Sequence, residues 1–392
     1  MTKTYNSLTE KIEVFDNGLI RARSMMPMNR RNFVKGGLAT GAAAATLGLG
    51  PKIARAGESV KYMGWLGYEE GLRGGSFLTD NDVELEITYI DNLEQISATA
   101  ATGGLGHMDF STPVMFYVPG WAARGFLAPL DESRIPNLAG CFPEIRDAAG
   151  LVVDGTRYAV PFAWGSLPLM YNADVIKEAP TSWMDMFKDE FKGKVTVTED
   201  ILGVVFTFIM ITNGKTTPWL ITREQLKEAM DLLITFKKEH ALTIASGYGE
   251  LAALFESGDV LMGQGWEAVS MWMGEGAPTM KWVHPKEGVL AFIDNYSIMT
   301  DSPNIDLCHD LLNHALSPEA QAHAHNFNAT ATTVEAAVPL LDDWARPMYP
   351  YDNLGTFFEN AGGFMEQFPI DSDGTHVTYD EVIESWENFL RA

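Results

Sequence analysis

Glu84-Leu85-Glu86-Ile87-Thr88-Tyr89-Ile90 alternates polar and apolar residues in period two, the pattern of a strand with one face buried. Asn92 follows in position to cap a helix running to Ala101, and Gly103-Gly104 ends it. Met108-Asp109-Phe110-Ser111 is then a brief apolar strand, Val114 to Arg124 a second helical stretch, and Ser59–Met63 an upstream strand. Strand, helix, strand, helix at this spacing points to an α/β fold with parallel strands.

The same alternation continues downstream. Tyr158–Phe162 is strand-like and is expected to break at Gly165 and Pro168. Lys194–Thr198 is a β-branched strand with a helix after it, and Thr222–His240 is an amphipathic helix with Leu226, Met230, Leu233 and Ile234 on one face. Val260–Met262 and Val289–Ile293 read as buried strands. Helices are expected at Asp306–Leu316, Glu319–His325 and Asp380–Leu390.

Composition narrows the function classes. The 392 residues suffice for two domains, and 46% apolar content excludes disordered and fibrous chains. With 28 Lys+Arg against 52 Asp+Glu the formal charge is −24. That balance argues against nucleic acid or an anionic membrane as partner, since both demand a basic face.

Asn29-Arg30-Arg31-Asn32-Phe33-Val34-Lys35 is a twin-arginine run, followed by a mild apolar stretch from Gly36 to Gly50 and by Ala54-Arg55-Ala56. The order of motif, apolar run and A-x-A site resembles a Tat signal, which implies export of a folded protein to the periplasm through the Tat machinery. Residues 1–56 are the expected signal peptide, with Met25, Met26 or Met28 as alternative starts. Its removal leaves 336 residues with 19 basic against 49 acidic side chains, a formal −30. Leu138-Ala139-Gly140-Cys141 spells a lipobox but has no leader before it. Cys141 and Cys308 are open to two readings, a periplasmic disulfide or two buried thiols.

Motifs that would carry catalysis or a metal are missing. There is no H-E-x-x-H, C-x-x-C, P-loop or G-x-S-x-G, and Gly165-Ser166 lacks the glycine that would follow. His323 and His325, two apart on a helix, face apart. No cofactor, metal ligand or catalytic residue is read, although a triad assembled from distant residues stays open. Aromatic residues beside carboxylates at strand ends stand out instead: Trp65 after the first strand, Trp266 with Glu267, and Phe292 two before Asp294. Aromatic faces and a carboxylate are the components of an alkylammonium site; packing in a core is the competing reading for each aromatic.

Tyr158-Ala159-Val160-Pro161-Phe162-Ala163-Trp164-Gly165-Ser166 is similar to the V-P-Y-x-W-G-T segment of periplasmic polyamine-binding proteins. Thr181-Ser182-Trp183-Met184-Asp185-Met186-Phe187, Phe191-Lys192-Gly193-Lys194 and Thr198-Glu199-Asp200 resemble that family's T-S-W-x-D-L-W, Y-K-G and T-D-D run. Pro285-Lys286-Glu287-Gly288 with Phe292-Ile293-Asp294 resembles its P-K-E-G-x-x-x-W-x-D strand. Ordered matches run from about Val60 to the C-terminus. The resemblance implies a two-lobed type II periplasmic binding protein, each lobe a mainly parallel sheet flanked by helices, with a ligand cleft between them.

The implied lobes are 57–162 with 292–330, and 163–291 with 331–392, the chain crossing near Val160–Ala163, Ala291–Asn295 and Ala329–Thr333. The implied function is the solute-binding component of an ABC transporter, a monomer that closes like a hinge on a polyamine and delivers it to a permease. Trp65, Trp266, Asp294 and Asp200 match ligand contacts of the family. Phe292 stands for a Trp, Phe116 for a Tyr, Val114 for a Ser and Leu66 for a Thr. Near Gly203-Val204 the family's second-lobe Glu is absent, and Glu267 or the Asp371–Asp373 loop is the candidate substitute. A carrier of a smaller monocationic or quaternary amine, or a secreted enzyme, are the alternatives.

Overall fold

The computed structural model describes residues 58–90, 93–362, 364 and 366–392, preceded by three short antiparallel strand segments, Lys3–Tyr5, Ile12–Val14 and Ile20–Ala22. The twin-arginine run, the apolar stretch, Ala54-Arg55-Ala56, the alternative starts and the Asn92 cap lie outside the described residues.

Apart from a two-stranded antiparallel hairpin of Val152–Val153 and Thr156–Arg157, the remaining strands, in chain order, are β1 (Glu58–Gly64), β2 (Val83–Tyr89), β3 (Phe110–Ser111), β4 (Val160–Leu167), β5 (Leu169–Asn172), β6 (Val195–Thr198), β7 (Ala241–Ala245), β8 (Met262–Gln264), β9 (Met280–Val283), β10 (Leu290–Ile298) and β11 (Ala331–Thr332). The longer helices are α1 (Ile201–Asn213), α2 (Arg223–Glu239), α3 (Tyr248–Ser257), α4 (Ile305–Ala315), α5 (Pro318–Asn328), α6 (Leu354–Ala361) and α7 (Tyr379–Arg391). Two sheets result. One has six strands in the order β11-β4-β10-β3-β1-β2, the other five in the order β7-β6-β8-β5-β9.

The expected mainly parallel sheets are in fact mixed. β1 pairs parallel with β2 and β3, and β6 with β7 and β8, as the strand-helix alternation predicts. The other pairings are antiparallel, for a topological reason. The chain leaves the six-stranded sheet through β4, enters β5 after the single residue Pro168, and returns from β9 to β10 through residues 284–289. A chain returning through the gap it left by runs opposite to its outgoing strand. β4 and β10 accordingly pair antiparallel from Leu167↔Leu290 to Val160↔Tyr296. The segments Val160–Ala163 and Ala291–Asn295 lie within this ribbon.

Gly165 does not break its strand. A Cβ at that position would lie 2.7 Å from the Phe292 ring, which crosses β4 there. The glycine is a slot for the ring rather than a turn signal. Pro168, which has no N–H to donate, is where the strand ends.

Helix chemistry follows the local sequence. In α1 every residue from Leu202 to Met210 is buried, so it is a core helix, apolar all round. Thr222 and Gln225 form a capping box that starts α2, whose Leu226, Ala229, Met230, Leu233 and Phe236 face inward. A second box, Thr378 with Glu381, starts α7, which is tied to α2 by Arg223–Glu381 at 2.6 Å and by Lys237 over the Phe389 ring. The core beneath the six-stranded sheet includes Val60, Tyr62, Phe110, Phe162 and Leu311, each Phe worth about 1.5–3 kcal/mol of burial. Cys141 and Cys308 lie in that core as free thiols, which settles the disulfide question against a bond in this structure.

Candidate functional site

β1 and β3 run parallel and end side by side at Gly64 and Ser111, so the residues after them emerge together at the carboxyl edge of the six-stranded sheet. Open α/β sheets bind ligands at such edges. Trp65 is held there by its N–H, which donates to Thr112 Oγ1 at 3.3 Å. Val114 makes an isolated bridge to Asp294 of β10, and half-buried Phe116 follows in a short turn of 3-10 helix, its ring 5.2 Å from that of Tyr117. On β10, Phe292 and Asp294 share a face. Immediately after Asp294 the register against β4 slips, a bulge of the kind that re-aims a side chain.

Asp294 is the focus of this half. It is only 5% exposed, and the Tyr68 hydroxyl donates to its Oδ2 at 2.5 Å. Oδ1 is buried and has no hydrogen-bond partner among the described residues. Burial pushes the Asp294 carboxyl up to about 7, against the pull of the Tyr68 bond. Tyr68 is itself fixed. The Tyr296 hydroxyl donates to its carbonyl, and buried Glu69 pins the turn by accepting from the Gly67 N–H at 2.7 Å and the Tyr89 hydroxyl at 2.5 Å.

The five-stranded sheet supplies the second half. Asp200 follows β6 and caps α1: Oδ1 accepts from the Gly203 N–H at 3.0 Å and Oδ2 from the Tyr248 hydroxyl at 2.7 Å. Trp266 follows β8, with its ring 6.4 Å from Tyr248 and 5.6 Å from Trp272, both edge-on. Its buried indole N–H lies beside the Tyr349 hydroxyl without hydrogen-bond geometry. Glu267 is 1% exposed and gives both oxygens to one residue: Ser166 donates its hydroxyl to Oε1 and its N–H to Oε2, the latter at 3.4 Å. Burial raises the Glu267 carboxyl to about 7, the Ser166 bonds pulling it down. His284 Nε2 sits 3.2 Å from the same hydroxyl, and burial lowers that imidazole to about 4.

The candidate residues thus fall into two groups. Trp65, Phe116, Phe292 and Asp294 gather on the six-stranded sheet; Asp200, Trp266 and Glu267 gather on the five-stranded one. Trp65, Phe116, Phe292 and Trp266 all pack against one continuous core. Buried Tyr349 lies within electrostatic reach of Tyr68 on one side and of Glu267 on the other. In the Asp371–Asp373 loop Asp373 is spent locally, accepting from the Thr375 and His376 amides and from His376 Nδ1 at 2.6 Å. Sequence reasoning passed over Tyr68, Ser166, Tyr248 and Tyr349. Only Ser166 carried a signal, as part of the Trp-Gly-Ser segment. Among the described residues no cluster of His, Cys, Asp and Glu is arranged to hold a metal, and no helix is long and apolar enough to cross a membrane.

Known proteins share the fold and much of the sequence pattern. The spermidine/putrescine-binding periplasmic protein of Salmonella typhimurium is 24% identical over 285 residues, 71% of this chain and 78% of that one. The putrescine/cadaverine-binding protein of Pseudomonas aeruginosa is 26% identical over 320 residues, 76% of this chain and 85% of that one. The solved spermidine/putrescine ABC transporter substrate-binding protein of Streptococcus pneumoniae superposes with a TM-score of 0.69 at 18% identity, covering 85% of this chain and 98% of that one. It shares the two-lobed type II fold. Residues 27–47 match the twin-arginine translocation pathway signal sequence, and the protein is exported to the periplasm. Residues 75–348 match the model of the bacterial extracellular solute-binding proteins, and the chain belongs to that family.

Proposed function

We propose that this protein is the periplasmic receptor of an ABC transporter for a polyamine or closely related cationic amine, working as a monomer that delivers its ligand to an inner-membrane permease. The observation that carries the reading is the unpartnered Oδ1 of Asp294. A buried carboxylate oxygen without a donor is costly, and an ammonium group offers a proton and an opposite charge at once. Trp65, Phe116 and Phe292 supply the aromatic faces that would line the ligand's methylenes and attract its charge, each cation–π contact worth about 0.5–2 kcal/mol. The curated relatives bind spermidine, putrescine and cadaverine by name, in agreement with this chemistry.

The two sheets would form the cores of two lobes, jointed at Pro168 and at residues 284–289. Ligand contacts from both sides would draw them together, and the closed form is what a permease would engage. Binding rather than turnover suits the Ser–His–acid grouping at Ser166. Ser166 stands between Glu267 and His284, whereas a nucleophilic triad needs the imidazole in the middle.

Calorimetric titration of the mature protein with putrescine, cadaverine, spermidine and choline tests the proposal. Saturable binding of at least one di- or triamine, tighter than choline, is expected. Binding of a sugar or sulfate with none of the cations would sink it.

A further inference from the structure

Asp294 and Glu267 are both buried acids of the candidate site, but they are not equivalent. Asp294 keeps an oxygen free, while Glu267 has committed both of its oxygens to Ser166. A carboxylate whose acceptors are filled by the protein has little to offer an incoming ammonium. Its work must lie in what it holds.

Ser166 is wholly buried, two residues before Pro168, on the strand by which the chain passes from the six-stranded to the five-stranded sheet. Its neighbour across the ribbon is Ala291 of β10, just after the return crossing. His284, the first residue after β9, reaches the same hydroxyl, and its ring lies edge-on to Phe357 at 4.8 Å. Glu267 itself follows β8 and is bonded in sequence to Trp266, the candidate aromatic wall on this side. One serine hydroxyl therefore joins the outgoing crossing, the returning crossing and the segment carrying the aromatic wall. When Glu267 is ionised, the hydroxyl's single proton goes to it, and the hydroxyl then receives the Nε2–H of a neutral His284. The Gly265 N–H adds a parallel tie to the Pro168 carbonyl at 3.2 Å.

We propose that Glu267 is a positioning residue, fastening the Trp266 wall to the crossing strand through Ser166 so that rotation at the joint and presentation of the indole are one event. The role rests on the amine-receptor reading for its effect on affinity, but the fastening itself does not. The titratable groups facing Glu267 are His284, Tyr248 and Tyr349.

The test uses the mature protein with Glu267→Gln, Ser166→Ala and the pair. Hydrogen–deuterium exchange over residues 164–168 is read without ligand, and putrescine affinity is read by calorimetry. An amide side chain can accept at only one atom, so Glu267→Gln should speed exchange of that segment by about tenfold. Ser166→Ala should do the same, and the pair no more than either single variant. Putrescine affinity should fall by a common factor in all three. Unchanged exchange with affinity lost in Glu267→Gln alone, or additive losses in the pair, would make Glu267 a direct ligand contact and overturn the proposal. Should no variant and no wild type bind putrescine, the receptor reading fails while the exchange pattern still decides the fastening. If Glu267→Gln does not fold, Ser166→Ala, which deletes one hydroxyl, carries the same exchange prediction.

Discussion

The hydroxyl of Tyr68 donates a 2.5 Å hydrogen bond to Oδ2 of Asp294, across 226 positions of sequence, and leaves Oδ1 buried without a partner among the described residues. That half-satisfied acid joins the turn after β1 to the bulge of β10 and sets the electrostatic character of the site.

Affinity for an amine should therefore depend on pH. Burial raises the Asp294 carboxyl to about 7, so between roughly pH 4 and pH 7 the folded, ligand-free protein holds a proton that the unfolded chain has released. This group, with Glu267 adding in the same direction, erodes stability as pH rises through that window. An ammonium needs the ionised form, so binding must expel the proton. Affinity is expected to rise toward pH 7, by up to about tenfold per pH unit, and then to level. Calorimetry at pH 6 in buffers of different ionisation enthalpy should report close to one proton released. Affinity that stays flat from pH 5.5 to pH 8 would exclude Asp294 from the contact.

Replacing Asp294 and Asp200 should have unequal effects. Asp294→Asn removes the free anionic oxygen, and the loss of a charge-assisted hydrogen bond, about 1.5–3 kcal/mol, corresponds to roughly tenfold to hundredfold weaker binding. The ligand-free protein should at the same time melt higher at pH 8, because the buried charge at this position is gone. Asp200→Asn keeps a competent helix cap for α1 and should cost less than about 1 kcal/mol. Equal affinities for both variants and wild type would withdraw Asp294 from its role.

Gly165→Ala should destabilise the fold by about 1–3 kcal/mol, the usual cost of overpacking, because the new methyl would meet the Phe292 ring at 2.7 Å. Phe292→Leu in the same chain should recover much of the loss. Thermal melts of the two variants against wild type read this directly. An unchanged melting temperature for Gly165→Ala would show that the ring is free to move aside.

Both thiols should be present and unreactive. Burial raises Cys141 to about 12 and raises Cys308 further, so neither is a thiolate at neutral pH. Thiol titration of protein purified from the periplasm should find no reactive sulfhydryl when native and two per chain in denaturant. Fewer than two in denaturant would point to a disulfide after all.

Much of the fold is legible in the sequence where a periodic pattern is long enough to stand out. Glu84–Ile90 and Thr222–His240 locate β2 and α2 to within a residue or two. β5 is missed because Leu169–Asn172 is four buried residues with no alternation, directly after a proline. β7, β9, α3 and α6 are short and partly buried, with apolar runs that fit strand or helix equally well. The aromatic residues and carboxylates of the site can be recognised one by one. What they do to each other cannot, since Tyr68 meets Asp294 and Ser166 meets Glu267 only through the pairing of strands distant in sequence.

Pro168 gives the molecule a particular mechanical character. From Val160 to Asn172 the chain forms β4 and β5 in direct succession, parted only at Pro168, which belongs to neither strand and has no amide proton to offer a ladder. A rod interrupted at one point is expected to fold there first. The two sheets are therefore expected to turn about a line as reproducible as a crease, which would return Asp294 and Trp266 to the same separation on every cycle of capture and release.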